Sequence, residues 1–466
     1  MINADQLNDF LLRYEGYGPR YTSYPTALHF RDDFPLNSYL EQVTESNQHP
    51  VPKSLSLYIH VPFCASLCYY CGCNKVVTRN MSRADEYIEL LSKEIALKAP
   101  LFESGRLVEQ IHFGGGTPTF MSTDQIKEIL ELLAQSFHFG LPQKLEMGIE
   151  IDPRSVTVDD IDELVGLGFN RFSFGIQDFN PEVQKAVNRE QSSEQIEALV
   201  TRARALGVSS ISFDLIYGLP KQTRASFDET LKEVLRIKPD RLALYNYAHM
   251  PDRMPAQRLI NAEELPSSAE KIHILSDSIV GLGDEGYTYI GMDHFALPSD
   301  SLVKAQENGS LQRNFQGYST HAETDLIGLG VSAISKVNHS FSQNVTKISE
   351  YREQLANDEL PLYKGLIMSS DDIVRSDLIQ RIMCGEFISK AAFGNEHLID
   401  FDTYFKRELE NLSQFVEDDL VLLNNDGIQV TELGRVFLRN IAMTFDHYLA
   451  RGEQQNVEIP RYSKTV

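Results

Sequence analysis

Several features that mark particular classes of protein are absent or scarce in this 466-residue chain. Tryptophan is absent, and 43 basic residues face 66 acidic ones, which gives a net charge of −23. Because phosphate backbones are bound by clustered Lys and Arg, this charge argues against nucleic acid as the main partner. No hydrophobic run approaches the ~20 residues that span a bilayer, and the acidic, polar start does not read as a targeting segment. We therefore expect a cytoplasmic protein that binds neither nucleic acid nor membrane.

Cysteine is also scarce, yet four of the five cysteines, Cys64, Cys68, Cys71 and Cys73, fall in the run PFCASLCYYCGCNK. Three thiolates from one loop can each bind one iron of a [4Fe–4S] cube and leave the fourth iron open to a chelating molecule such as S-adenosylmethionine (SAM). A disulfide framework fits a long chain with five cysteines poorly, and structural zinc needs a second ligand pair that is lacking here. We interpret the isolated Cys384 as a small buried apolar residue.

The middle of the chain alternates between strand-like and helical patterns. Strand-like runs occupy residues 54–63, 108–116, 144–153, 171–177, 209–218 and 241–250, and helical periodicity occupies 84–99, 124–137, 159–168, 193–207 and 226–238. This alternation is typical of parallel βα units, which form either an open sheet or a partial barrel. Polar or glycine residues follow every strand, namely the Cys loop, GGGTPT, Glu150 with Asp152, Gln177 with Asp178, Asp214, and Asn246 with His249. Since barrels assemble their active sites at that end, we predict an α/β fold with a partial (β/α)6 barrel.

The two ends of the chain have a different character. Residues 1–53 contain turn signals and one helical stretch (36–46), and we predict an N-terminal arm that packs against the barrel and its extension, residues 54–365. Residues 366–466 combine two helices (376–388 and 401–416), a hairpin turning at Asn425, Asp426 and Gly427, and a final helix (432–449). This order resembles a winged-helix module within a mostly helical C-terminal domain.

Three features of the strand ends suggest a ligand. Glu150 and Asp214 are costly to bury without partners, and a ligand with a sulfonium or a ribose would supply such partners. The alternative for Asp214 is an ion pair with a nearby Arg. Gln177 and Arg189 are candidates for the same reason, although an isolated Arg is more often solvated. The Gly114–Pro118 run is either an ordinary strand-to-helix turn or bare backbone that approaches an ammonium group.

The sequence resembles the oxygen-independent coproporphyrinogen III oxidase family, which are radical SAM enzymes of haem biosynthesis. The resemblance covers nearly the whole chain and rests on SLYIHVPFCASLCYYCGCNK with GPRYTSYPTA before it and HFGGGTPT, IEIDPR, GIQDFN, VNREQ, DLIYGLPKQT, NYAHMP, GMDHFA and RNFQGY after it. The additional Cys73 separates this family from its haem-chaperone relatives, which have the three-cysteine core alone. Tyr70 stands where the family has Phe, so its hydroxyl needs a hydrogen-bond partner.

The resemblance implies a partial radical SAM barrel that holds a [4Fe–4S] cluster and two SAM molecules. By matching motifs, Cys64, Cys68 and Cys71 are expected to ligate the cluster. The first SAM is expected near Tyr58, Gly115, Glu150 and Ile334, and the second near Tyr70, Gly116, Thr117, Gln177, Arg189, Asp214 and Ala248.

The implied reaction converts two propionates of coproporphyrinogen III to vinyls through a 5′-deoxyadenosyl radical, giving protoporphyrinogen IX. A substrate with four carboxylates needs cations, for which Arg20, Lys75, Arg79 and Arg313 are candidates. Cys73 and His60, beside the cluster, are candidates for proton or electron handling. We expect a monomer served by a reduced flavodoxin- or ferredoxin-type donor. A haem-binding chaperone and a different radical SAM reaction on a tetrapyrrole remain the alternatives.

Overall fold

The computed structural model describes residues 4–321, 324–449 and 462–465, and its main sheet has 13 strands. Twelve of these form one continuous order and are numbered along the chain. They are β1 (Ser54–Val61), β2 (Leu107–Gly115), β3 (Glu146–Ile151), β4 (Arg171–Gln177), β5 (Ser210–Tyr217), β6 (Arg241–Asn246), β7 (Thr288–Gly291), β8 (His294–Ala296), β9 (Thr324–Leu329), β10 (Ile334–Val337), β11 (Ser340–Asn344) and β12 (Leu362–Ile367). The short strand His138–Phe139 pairs with β2.

The described α-helices surround this sheet and continue beyond it. They are α1 (Ala4–Arg13), α2 (Leu36–Asn47), α3 (Ser82–Lys98), α4 (Thr123–Ser136), α5 (Val158–Gly166), α6 (Pro181–Ala186), α7 (Ser193–Ala205), α8 (Arg224–Ile237), α9 (Ser268–Asp284), α10 (Ser301–Glu307), α11 (Ile348–Ala356), α12 (Ser370–Met383), α13 (Lys390–His397), α14 (Phe401–Tyr404), α15 (Lys406–Asn411), α16 (Ser413–Glu417) and α17 (Leu438–Met443). None of the described helices is long and apolar enough to cross a membrane.

Strands β1 to β6 run parallel and are linked by helices, which confirms the predicted βα units. In β4 the burial alternates, because Phe172 and Phe174 pack under the helices while Ser173 and Gly175 face the other side of the strand. This period of two is the one that a strand imposes on its side chains. The polar set of the predicted strands therefore faces one lumen.

The sheet order is β7-β8-β6-β5-β4-β3-β2-β1-β9-β10-β11-β12. Strand β9 adds in parallel beside β1, and the strands beyond β6 and β9 are antiparallel. Within the described residues β7 and β12 do not pair, so the predicted partial barrel is confirmed as an open one. Strand β12 ends at Ile367, just past the predicted boundary at residue 365.

The N-terminal arm has one helix more than predicted. Helix α1 was not expected, and it packs against α9, while the predicted helix 36–46 is α2. Leu7, Phe10 and Tyr21 share one hydrophobic core with the barrel and the C-terminal helices. Arg439 of α17 donates hydrogen bonds to the carbonyls of Pro19 and Lys464, which ties the arm to the end of the chain.

The C-terminal region contains the predicted hairpin, with Val421–Leu423 antiparallel to Gly427–Val430, and a third strand, Ile388–Ser389. The single helix predicted over residues 401–416 is wrong, since the segment is broken into α14, α15 and α16. The final helix is likewise shorter than predicted and is preceded by a 3-10 turn at Gly434–Phe437. Cys384 is buried at the end of α12, as expected.

Candidate active site

A cavity of about 670 Å³ opens at the carboxyl ends of the parallel strands. This volume lies within the ~300–1,000 Å³ that is usual for small-molecule and cofactor sites. Many of the predicted site residues line it, namely Cys64, Cys68, Tyr70, Cys71, Cys73, Lys75, Gly115, Gly116, Thr117, Glu150, Gln177, Arg189, Asp214 and Ala248. Residues that lie far apart in the sequence therefore meet in one pocket.

The cysteine loop after β1 is fastened to the end of α6. The backbone N–H of Tyr69 donates to the carbonyl of Val187 at 3.0 Å, and the Asn188 side chain donates to the carbonyl of Leu67 at 2.8 Å. A turn closes within the loop, where the N–H of Cys71 donates to the carbonyl of Cys68 at 3.2 Å. These bonds hold the thiols at the cavity wall.

The spacing of the sulfur atoms bears on which metal group fits. A single zinc ion with thiolate ligands at ~2.3 Å brings its sulfur atoms to within about 4 Å of one another. Among the described residues, no three of the Cys64, Cys68, Cys71 and Cys73 sulfur atoms all lie within 4.8 Å of one another. A cube that offers a separate iron to each cysteine spreads its ligands further apart. The described sulfur atoms are therefore not gathered around one ion, and each cysteine can contact a separate iron of a cube.

Among the cysteines of this loop, Cys68 has the most hydrogen-bond donors directed at its sulfur atom. Arg154 and Arg189 each place a guanidinium nitrogen 3.5 Å from its Sγ. Asp152 bridges the two arginines, with contacts of 2.7 Å to Arg154 and 3.2 Å to Arg189. The Tyr70 hydroxyl also hydrogen bonds to the Cys68 side chain, which supplies the partner that this hydroxyl was expected to need. These donors stabilise a thiolate at this position.

The environment of Cys64 is less polar. Burial raises the pKa of the Cys64 thiol to about 11, against a hydrogen bond from the Thr117 hydroxyl at 3.5 Å that lowers it. Thr117 lies in the glycine turn after β2, so this turn and the cysteine loop are in direct contact. A metal would supply the missing positive charge at Cys64.

The glycine turn is packed too closely for any other side chain. A Cβ on Gly114 would lie 2.7 Å from the Glu150 carboxylate, and a Cβ on Gly115 would lie 2.6 Å from the His60 ring. Gly115 also has a φ of +120°, which L side chains rarely adopt. A Cβ on Gly116 would lie 2.9 Å from the carbonyl oxygen of Phe63. The three glycines thus let the backbone approach both the cysteine loop and the strand-end carboxylate.

Two carboxylates of the lumen reach the cavity with few partners. Glu150 accepts a hydrogen bond from the Gly115 N–H at 3.1 Å and lies 3.6 Å from His112. Asp214 accepts one from the Ser173 hydroxyl at 3.0 Å. Burial, together with the negative charge of Glu150, raises the pKa of Asp214 to about 7. The alternative that an Arg pairs with Asp214 is wrong among the described residues, since Arg189 forms its ion pair with Asp152.

Three predicted residues lie next to the cavity and not in its lining. Tyr58 stacks on His112, and its hydroxyl lies 3.3 Å from Nδ1 of His60. His60 is buried beneath Gly115, where burial lowers its pKa and its Nε2 lies 3.1 Å from the carbonyl of Asn74. Ile334 begins β10, with its backbone against Gly328, the residue paired with Tyr58.

The four predicted substrate cations are spread over three places. Lys75 lines the cavity, and its Nζ donates to the carbonyl of Cys71 at 3.0 Å. Arg79 is exposed on the surface outside the cavity. Arg20 pairs with Asp293 and lies 5.3 Å from the ring of Tyr245, a residue of the cavity wall.

The remaining cation, Arg313, lies behind Arg20. It is 2% exposed, and its Nε donates to the backbone carbonyl of Arg20 at 3.1 Å. Among the described residues its Nη1 has no hydrogen-bond partner. Two arginines thus form a positive layer behind one wall of the cavity.

Sequence reasoning missed some residues and over-read others. Arg154 was not a candidate, although an Asp-Pro-Arg turn directly after a strand could have drawn attention to it. Asp178, by contrast, follows a strand but turns away from the cavity and accepts hydrogen bonds from Gln222 at 2.6 Å and Thr230 at 2.8 Å. His249 likewise lies outside the lining and pairs with the Tyr247 hydroxyl at 2.9 Å.

Comparisons with known proteins agree with this geometry. A model described as the radical SAM superfamily matches residues 58–234, and one described as the HemN C-terminal domain matches residues 368–437. The chain is 46% identical to the oxygen-independent coproporphyrinogen III oxidases of Salmonella typhimurium and Escherichia coli K12, over 97% of each chain. It is 45% identical to that of Pseudomonas aeruginosa, over 98% of both. The solved coproporphyrinogen III oxidase (HemN) of Escherichia coli superposes with a TM-score of 0.88, covering 92% of this chain and 97% of the other.

An open βα barrel with a three-cysteine loop at the carboxyl ends of its strands defines a radical SAM protein. Within that class, the chain belongs to the oxygen-independent coproporphyrinogen III oxidase family.

Proposed function

We propose that this protein catalyses the oxygen-independent oxidative decarboxylation of two propionate side chains of coproporphyrinogen III to vinyls, yielding protoporphyrinogen IX. The observation that carries this proposal is one cavity in which Cys64, Cys68 and Cys71 face the carboxylates of Glu150 and Asp214. The 46% identity to named oxidases over 97% of the chain supports the choice of substrate.

We propose that these residues hold a [4Fe–4S] cluster and two SAM molecules. We assign the cluster to Cys64, Cys68 and Cys71. The first SAM is assigned to Tyr58, Gly115, Glu150 and Ile334, and the second to Tyr70, Gly116, Thr117, Gln177, Arg189, Asp214 and Ala248. When bound, these cofactors supply a reductively generated 5′-deoxyadenosyl radical that can remove a hydrogen atom from the propionate β-carbon.

The chain's own residues bind and orient the ligands, and they exclude water from the site. The carboxylate of Glu150 lies beside the Gly115 backbone, so an ammonium group can contact both. Arg189 is held by Asp152 and by the carbonyl of Gly175 at 3.2 Å, which fixes a buried positive charge for a carboxylate. Fixed charges of this kind act more strongly in a site from which water is excluded.

The substrate brings four carboxylates to this site. We propose that Lys75 contacts one of them directly and that Arg20 and Arg313 add positive potential through the wall at Tyr245. Arg79 lies outside the cavity, and we assign it no role in substrate binding. Cys73 lines the cavity beside Lys75 and is the better placed of the two candidates for proton or electron handling, with His60 acting from beneath the glycine turn.

The test is anaerobic incubation of the reconstituted protein with SAM, dithionite and coproporphyrinogen III, followed by mass spectrometry. The expected product has lost two CO2 and four hydrogens. Cys73→Ser should keep the full iron content while turnover falls, and loss of iron would instead make Cys73 a ligand.

Two other outcomes would replace the proposal. Stoichiometric binding of haem without CO2 release would indicate a chaperone. An opened or otherwise altered tetrapyrrole of different mass would indicate another radical SAM reaction. The mass of the product separates these outcomes in one experiment.

We further propose that the protein is cytoplasmic, because its cysteines must stay reduced to bind iron. We also propose that it is a monomer. A flavodoxin- or ferredoxin-type protein would supply the electron. For the organisation of the chain we propose an arm (1–53), a barrel with its extension (54–365) and a C-terminal domain (366–466), supported by the separate match to residues 368–437.

A further inference from the structure

Residues 74–83, directly after the cysteine loop, form a surface segment that we call the basic rim. It contains Lys75, Arg79 and Arg83 and no acidic residue, although the chain as a whole has 66 acidic and 43 basic residues. Arg79 is exposed, and Val77 and Met81 are 46% and 48% exposed. The rim is therefore a basic and partly apolar patch on an acidic protein.

The nearest acidic side chains along the chain are engaged elsewhere. Glu86 pairs with Arg352 at 2.9 Å, and Asp85 accepts a hydrogen bond from Gln125 at 2.5 Å. In the described part of the chain, neither Arg79 nor Arg83 forms an ion pair with a carboxylate. The positive charge of the rim thus stays available to a partner.

The rim is hydrogen bonded to a proposed iron ligand. The short strand Phe63–Cys64 pairs in parallel with Val76–Val77, which places Val77 opposite Cys64. The N–H of Thr78 donates to the carbonyl of Cys64 at 2.9 Å. Because paired strands lie about 4.8 Å apart, the exposed Val77 is one strand spacing from the cysteine. An electron that arrives at this surface has a short bonded route to the cluster.

The rim is also held firmly at both ends. Asn74 donates to the carbonyl of Thr346 at 3.0 Å and accepts from the His60 ring at 3.1 Å. At the other end, the Arg83 guanidinium lies 6.0 Å from the centre of the Phe63 ring. A surface of fixed shape loses less entropy when a partner docks.

We propose that the basic rim is the docking surface for a separate acidic protein that carries a low-potential one-electron centre. In the transfer the donor's centre loses one electron and the cluster gains it, with no proton moved. The inference rests on the proposed function, because only a reducible cluster needs such a donor. A chain of net charge −23 repels an acidic partner over most of its surface, so a local positive patch beside the cluster selects the productive orientation.

The test uses anaerobically reconstituted holoenzyme and a purified acidic flavodoxin as the probe. The rim variant is Arg79→Glu with Arg83→Glu, and Arg79→Glu alone guards against disturbance of the contact with Phe63. The matched control is Lys144→Glu with Lys304→Glu, which makes the same change of charge on exposed residues away from the cysteine loop. Equal iron content in all proteins establishes that the cluster is intact.

We expect the rim variant to raise the flavodoxin Kd at least about tenfold at low salt and to lose most of the salt dependence of binding. The control should stay within about twofold of the parent. Decarboxylation driven by dithionite should be the same in all variants, because a small reductant needs no docking surface.

Each of the next three outcomes would overturn the inference, and a fourth would overturn the proposed function instead. Equal weakening in the rim variant and the control means that net charge alone matters, and no binding by the parent removes the docking surface altogether. Loss of dithionite-driven turnover in the rim variant, with flavodoxin binding intact, assigns the rim to the substrate. A parent that binds flavodoxin but releases no CO2 contradicts the proposed function and leaves the docking result standing.

Discussion

The barrel lumen contains two levels of carboxylates that the protein treats in opposite ways. At the lower level, Glu146 forms an ion pair with Arg171, accepts a hydrogen bond from Gln110 at 2.9 Å and lies 3.6 Å from His321. Burial alone would raise the pKa of Glu146, but the interactions with His321 and the charge of Arg171 outweigh it and hold the pKa well below its usual range. This carboxylate is fully compensated within the chain.

At the upper level the compensation is incomplete. Asp214 has one hydroxyl donor, and burial together with the charge of Glu150 raises its pKa to about 7. A buried charge without a partner is costly, so such an arrangement persists where a ligand completes it. The lower carboxylate is thus satisfied within the protein, whereas we propose that a cationic or hydroxyl-rich ligand completes the upper level.

The largest expected effect is at the carboxyl ends of the strands, where a substitution of a cysteine should abolish decarboxylation and leave the protein folded. Cys68→Ala removes a proposed iron ligand and the acceptor of the contacts from Arg154 and Arg189. We expect loss of the cluster and a fall in decarboxylation of at least about a thousandfold, measured by iron content and product mass.

The control for that prediction is Cys384→Ala, which removes a buried thiol far along the chain, directly after the last residue of α12. It should retain the full iron content and reduce thermal stability by about 1 kcal/mol. A Cys68→Ala protein that still holds its iron and turns over normally would contradict the assignment of this ligand.

The next prediction compares the two levels by replacing one carboxylate of each with the corresponding amide and measuring the free energy of unfolding. Glu146→Gln leaves the buried Arg171 without its ion pair, and we expect a loss of about 3 kcal/mol in the free energy of unfolding. Asp214→Asn removes a charge that has no ion-pair partner among the described residues, so the free energy of unfolding at about pH 8 should stay within about 0.5 kcal/mol of the parent or rise. Urea unfolding measures both.

Ligand binding should reverse this order. Asp214→Asn should weaken SAM binding to the reconstituted protein, whereas Glu146→Gln should leave the Kd for SAM close to that of the parent where the protein is folded. Equal losses of stability from the two substitutions would remove the distinction between the levels.

The two carboxylates should also differ in how their contributions to the free energy of unfolding depend on pH. Because the folded pKa of Asp214 is raised to about 7, the folded state binds more protons than the unfolded state between about pH 4 and about pH 7. Its contribution is therefore complete below about pH 4 and is lost as the pH rises through about 7, a change of about 4 kcal/mol.

Glu146 gives the opposite sign. Its folded pKa is lowered, so its contribution is present above the unfolded value of about 4 and is lost as the pH falls. Subtracting the profile of Asp214→Asn from that of the parent isolates the upper level, and a difference that rises with pH would contradict the assignment.

Much of the fold followed from the sequence, because periodicity and turn chemistry are local signals. All six parallel strands appear near their predicted positions, and of the predicted turn Asn425, Asp426 and Gly427 the first two form the bend while Gly427 begins the second strand of the hairpin. What failed was also local in origin: α1 carries no strong turn signal before it, and Phe405 and Leu412 interrupt a segment that reads as one amphipathic helix.

The site was predictable in composition and less so in geometry. The three cysteines, Glu150 and Asp214 were identifiable because cysteine spacing and buried charge are visible in one dimension. The contacts of Arg154 and Arg189 with Cys68 depend on how two loops approach in space, and no spacing rule reports that. For the same reason Arg20 could not be placed behind Tyr245 from the sequence.

The smallest expected effect tests whether the Cys68 sulfur tolerates the loss of one of its hydrogen-bond donors. Tyr70→Phe removes the hydroxyl that bonds to Cys68, but the guanidinium groups of Arg154 and Arg189 remain at 3.5 Å. One hydrogen bond contributes about 1 kcal/mol net when other donors to the same sulfur remain, so turnover should fall by no more than about fivefold, with the iron content unchanged. A loss as large as that of Cys68→Ala would mean that the hydroxyl, and not the paired arginines, controls the cysteine at this end of the barrel.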